Sequence, residues 1–168
     1  MNFENAKKLV ENVEKICVIQ AENPDGDSLG SALGLEEILS ELGKEVKLFC
    51  PVDIPKYLRY FKGWDRVESS IYEKFDLFII VDTTSSILLS KIIEDPLYKN
   101  LLEKTPVLVI DHHTDATPDL FFKHELILEE ASSAGELIFE IAKANRWEIN
   151  ENAAQNLLGA IFSDTLGL

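Results

Sequence analysis

A chain of 168 residues with 46% hydrophobic residues can build the core of one ordinary domain and falls outside the disordered class. Its formal net charge of −14, from 16 basic against 30 acidic residues, is ill suited to holding long duplex nucleic acid by its phosphates. The apolar runs, such as 77–81, are far too short to cross a bilayer, and the charged first twenty residues lack a secretory pattern. The expected setting is cytoplasmic, away from membranes.

In chain order, Phe3, Ala6, Leu9, Val10 and Val13 recur at helical spacing and predict an amphipathic helix over 3–15. The run 16–20 reads as a strand, 28–42 as a helix stopped by Gly43, and 45–49 as a strand closed by Pro51. Residues 55–64 are irregular. A strand over 77–82 ends on Asp82, a helix over 85–94 follows, and a strand over 107–113 ends on Asp111, His112 and His113. A last strand is predicted at 125–129. Ser133 and Glu136 form a capping box opening a helix to Asn145, and 150–162 forms a further helix. Alternating elements with continuous apolar strands predict an α/β fold, a mostly parallel sheet with helices on both faces. Cys17 and Cys50, without CxxC spacing, read as buried free thiols.

Three predicted strands thus lead into chemistry-bearing groups. They are Asn23-Pro24-Asp25-Gly26-Asp27, then Asp82, then Asp111-His112-His113. Carboxyl ends of parallel strands share one edge of the sheet, where ligands bind. Gathered carboxylates repel each other unless a cation stands among them, and carboxylates with imidazole suit manganese, iron or zinc. Each group also has an ordinary reading. Asp25 and Asp27 suit a tight turn, Asp82 could cap the helix at 85, His124 stands apart, and Asp164 could end a helix.

The blocks "NPDGDSLGSALGL", "VDTT", "VIDHH" and "IFSDT" together resemble a DHH-family phosphoesterase, closest to its oligoribonuclease and phosphoadenosine-phosphate phosphatase group. The resemblance implies a Rossmann-like DHH domain over 1–168, without the smaller C-terminal substrate-binding (DHHA1-type) domain. It implies a hydrolase with a two-ion Mn2+ site, open to Mg2+ or another divalent ion. That hydrolase would cleave short oligonucleotides or nucleotide 3′,5′-bisphosphates with a metal-activated water. By the same resemblance Asp25 binds one ion and Asp27 the other, Asp82 bridges them, and His112 and Asp164 complete the Asp27 shell. His113 and Asn23 meet the substrate, with Asp111 behind the histidines. The expected partners are a small phosphorylated substrate or a short single strand, with a homodimer as an open option. The family's first-block histidine falls at Ala21, so one ion should be weakly held and activity weak. Two rival readings are a manganese-dependent pyrophosphatase and a non-catalytic module that binds nucleotide or phosphate.

Overall fold

The computed structural model describes residues 3–166. Five short apolar strands and one two-residue strand form a single parallel sheet. β1 (Lys15–Ile19) lies between β2 (Glu45–Phe49) and β4 (Leu77–Val81); β3 (Val67–Glu68) extends the sheet beyond β2, and β5 (Val107–Asp111) then β6 (Glu125–Leu128) extend it beyond β4. The strand order 3-2-1-4-5-6 reverses direction between β1 and β4. That is the switch point at which open α/β sheets bind ligands.

β4 and β5 are buried at every residue, as strands covered on both faces must be. One face packs Ile16, Val18, Ile79 and Ile110 against α1 (Glu4–Glu11), α2 (Gly26–Glu41), α5 (Ala134–Asn145) and α6 (Glu151–Asp164). The other packs Cys17, Ile19, Phe78 and Val109 against Ile92 of α3 (Ser90–Ile93) and Leu102 of α4 (Pro96–Lys104). Both cysteines are buried and free, and burial pushes the Cys50 thiol up to about 11.

The elements differ from expectation in instructive places. The first helix ends at Glu11, so Val13 lies beyond it. The helix expected from Ser28 starts two residues earlier, because Asp25 caps it: its Oδ1 accepts from the Ser28 amide at 2.9 Å, while Ser28 Oγ accepts from the Asp25 amide at 3.0 Å. Asp27 therefore sits in the first helical turn and not in the preceding loop. The short β3 and all of α4 are additional, although Asp95-Pro96 is a regular opening for a helix, with Asp95 accepting from the Leu97 amide. The expected helix over 85–94 is a turn of 3₁₀ helix, Ile87–Leu89, running into α3. At α5, Ser133 caps the Glu136 amide, but Glu136 reaches back to the amide and hydroxyl of Ser132 and not to Ser133.

α2 and α6 pack through residues that lack bulk. A Cβ added at Gly30 would stand 2.7 Å from the Asn156 carbonyl oxygen and 2.9 Å from the Ala160 nitrogen and Cβ. Backbone cannot rotate aside as a side chain can. Gly30→Ala is therefore expected to lower stability by about 1–2 kcal/mol, overpacking outweighing the gain in helix propensity. Urea denaturation measures it; a stability increase would mean that the two helices separate freely.

Candidate metal centre

The first turn of α2, the end of β4, the residues that close β5 and the last residue of α6 meet at the carboxyl edge of the sheet. His112 Nε2 lies 3.5 Å from Asp27 Oδ2, 3.4 Å from Asp82 Oδ1 and 3.3 Å from Asp164 Oδ2. Asp27, His112 and Asp164 form one group able to hold a metal ion, and Asp82, His112 and His113 form a second that overlaps it.

Asp27 is fully buried and tied to two elements. Its Oδ1 accepts from Ser31 Oγ at 2.9 Å and the Gly135 amide at 3.0 Å, and its Oδ2 accepts from the Ala134 amide at 2.6 Å. The N-terminus of α5 thus holds a carboxylate 107 residues away in sequence, where helix amides favour negative charge. Burial nevertheless raises the Asp27 pKa, with the Asp164 charge adding to it against these donors.

His112 owes its orientation to a carbonyl. Its Nδ1–H donates to the Ala131 oxygen at 3.2 Å, so the neutral ring presents the Nε2 lone pair to the three carboxylates. Asp111 serves His113 instead: its Oδ1 accepts from His113 Nδ1 at 2.7 Å and from the His112 amide at 2.8 Å. The His113 side chain is half exposed. Asp82 does not cap the following helix; Asp119 instead accepts from the amide and hydroxyl of Ser86, the residue that precedes it. Asp82 itself takes φ 63°, a left-handed conformation that Asp tolerates better than most residues.

Asp82 Oδ1 and His112 Nε2 are both buried and have no hydrogen-bond partner. Two lone-pair-bearing atoms facing each other in this way fit a shared cation or a shared proton. In the metal-free protein the pair favours bound protons. Burial, helped by the Asp27 and Asp25 charges, pushes Asp82 up to about 8 against the pull of His112. Burial draws His112 down, but the Asp82 carboxylate 3.4 Å away, the hydrogen bond to the Ala131 carbonyl and the nearby Asp27 charge hold it at about 9. The two titrate as one unit. A divalent cation offers these atoms the same compensation and adds the carboxylates of Asp27 and Asp164.

The Asp25 side of the edge is poorer. Asp25 is exposed, with Oδ1 engaged as the helix cap, and Asn23 is exposed beside it. Ala21 is buried and offers only a carbonyl, which accepts from Cys50 Sγ. Glu22 is committed elsewhere: its carboxylate accepts from Ser90 Oγ at 2.9 Å and the Lys91 amide at 2.9 Å. His124 lies outside the cluster, its Nδ1 donating to the Phe122 carbonyl. The groups that sequence reasoning missed are Ser31, Ala131, Ala134 and Gly135. Three of them act through backbone atoms, which no side-chain pattern reveals.

The DHH family, N-terminal domain, matches residues 15–163. The chain is 31% identical over 147 residues to the bifunctional oligoribonuclease and PAP phosphatase NrnA of Bacillus subtilis, covering 84% of this chain and 43% of that protein. It is 30% identical over 160 residues to a probable manganese-dependent inorganic pyrophosphatase of Streptococcus thermophilus, covering 92% and 49%. An exopolyphosphatase-related protein from Bacteroides fragilis shares the fold with a TM-score of 0.84 at 23% identity, over 98% of this chain and 50% of that one. The chain spans about half the length of the curated relatives it matches. With the match running from β1 nearly to the end of α6, the chain belongs to the DHH family, as its N-terminal domain.

Proposed function

We propose that this chain is the metal-binding domain of a manganese-dependent phosphoesterase that hydrolyses short oligonucleotides or nucleotide 3′,5′-bisphosphates. The observation that carries the reading is the convergence of Asp27, Asp82, His112 and Asp164, with two buried atoms at its centre lacking partners. In this reading Asp27, Asp82, His112 and Asp164 hold one ion, and Asp25 with Asp82 holds the other. Bound divalent ions supply a more acidic water and neutralise charge on the phosphoryl oxygens. The chain's residues supply the rest. Asp111 keeps the proton on His113 Nδ1, which leaves Nε2 as the atom that can meet a substrate phosphate or a proton. Asn23, exposed at the same edge, adds an amide for the substrate.

The relatives named for oligoribonuclease and PAP phosphatase activity support the nucleotide substrate, and no helix among the described residues is long and apolar enough to cross a membrane. The pyrophosphatase relative supports a second reading, in which pyrophosphate is the substrate at the same residues. The test is hydrolysis of a dinucleotide, adenosine 3′,5′-bisphosphate and pyrophosphate in parallel, with and without manganese. Manganese-dependent release from the first two carries the proposal; release from pyrophosphate alone favours the second reading. No turnover by folded, manganese-loaded protein leaves a binding module.

With Ala21 unable to ligate and Glu22 committed to Ser90 and Lys91, the Asp25 ion is the weak one. Ala21→His is expected to raise manganese content from one ion toward two per chain and to increase hydrolysis by about 10- to 100-fold. Metal analysis after gel filtration measures the first. Two tight ions in the unmodified chain would sink the asymmetry.

A further inference from the structure

Gln20 is fully buried, and neither its amide oxygen nor its amide nitrogen has a hydrogen-bond partner. Burying a carboxamide unpaired is unfavourable, and a leucine or methionine of similar size would suit a core position better. Its place in the fold suggests what it awaits. The Gln20 backbone N–H donates to the Phe49 carbonyl at 2.9 Å, extending the β1–β2 ladder one residue beyond β1. Strand alternation then puts the Gln20 side chain on the face of Ile16 and Val18, the face covered by α2, α5 and α6. The parallel register sets it one step past the Ile19–Ile80 pair, level with Val81 and so one residue short of Asp82. Asp27, in the first turn of α2, stands over the same face at the same end of the sheet.

We propose that Gln20 belongs to the ion site, its carboxamide contacting the shell of a bound divalent cation directly or through one water. The inference rests on the reading of the carboxylate–imidazole cluster as a cation site. A carboxamide oxygen is a hard donor suited to manganese or magnesium, and its NH2 can donate to a carboxylate or bound water at the same time. The chain thus carries, in the position before Ala21, a buried amide that a filled site would satisfy.

The experiment compares the unmodified protein with Gln20→Leu and Gln20→Met, using Asp27→Asn as the control for loss of the site. Manganese binding is followed by the paramagnetic resonance of the free ion, and melting is followed with and without manganese. Both Gln20 variants are expected to melt at or above the unmodified protein without metal. They should bind manganese about 10- to 100-fold more weakly and show a smaller metal-induced rise in melting temperature. Unchanged manganese affinity in either folded variant overturns the inference while leaving the cation site standing. So does weaker binding accompanied by a lower melting temperature without metal, which marks Gln20 as structural. If the unmodified protein binds no manganese, the cation-site reading fails, and this inference with it.

Discussion

Asp27→Ala is expected to abolish tight manganese binding and to lower stability by about 2–4 kcal/mol, both from one residue. The stability loss follows from the Asp27 partners. Removing the carboxylate leaves the buried Ala134 and Gly135 amides without an acceptor and frees Ser31 Oγ. Each orphaned buried N–H costs about 1–3 kcal/mol. Relief of the burial that raises the Asp27 pKa offsets part of that cost. The metal loss follows because Asp27 is the innermost of the carboxylates around His112 Nε2. Asp27→Asn keeps one oxygen for an α5 amide, so it should lose less stability yet still lose the ion. Urea denaturation and manganese titration of both variants separate the two effects. Full manganese affinity in Asp27→Ala would exclude this carboxylate from the ion site.

Manganese should stabilise the unmodified protein more at pH 8.5 than at pH 6.5. Without metal, the folded site favours bound protons. Asp82 titrates near 8 against an ordinary value of 3.8, so its ionisation destabilises the fold progressively as pH rises between those values. His112 titrates near 9 against 6.5, so the stability it contributes is fully present below 6.5 and is lost as pH rises through 9. Both trends have the same sign: the metal-free protein weakens toward pH 9. Manganese competes for the same atoms, so its affinity grows over that window as the protons leave. At a free concentration one hundred times Kd, the ion adds about 2.7 kcal/mol, a rise of roughly 5–11 °C for a domain of this size. Melting curves at the two pH values, at one fixed manganese concentration, measure it. A larger metal-induced rise at pH 6.5 would show that the cation does not displace these protons.

The sequence by itself determined the parallel α/β architecture and the chemical character of its edge. Period-two and period-3.6 patterns are local, and runs such as 77–81 and 107–110 are apolar enough to require cover on both faces. Asp82 and Asp111-His112-His113 end those runs, so their place at the carboxyl edge follows from the strands being parallel. Which groups converge, and how, was decided only by the tertiary structure. Asp27 is anchored by amides of a helix more than a hundred residues away, and His112 is turned by the Ala131 carbonyl. Asp164 arrives because glycine and alanine let α6 lie close against α2. Asp25 caps a helix and Glu22 turns to Ser90, so neighbouring residues of one acidic loop part company. The physical reason is common to all of these. Backbone donors, helix approach and ring orientation depend on packing between distant segments, and a residue pattern along the chain carries no record of them.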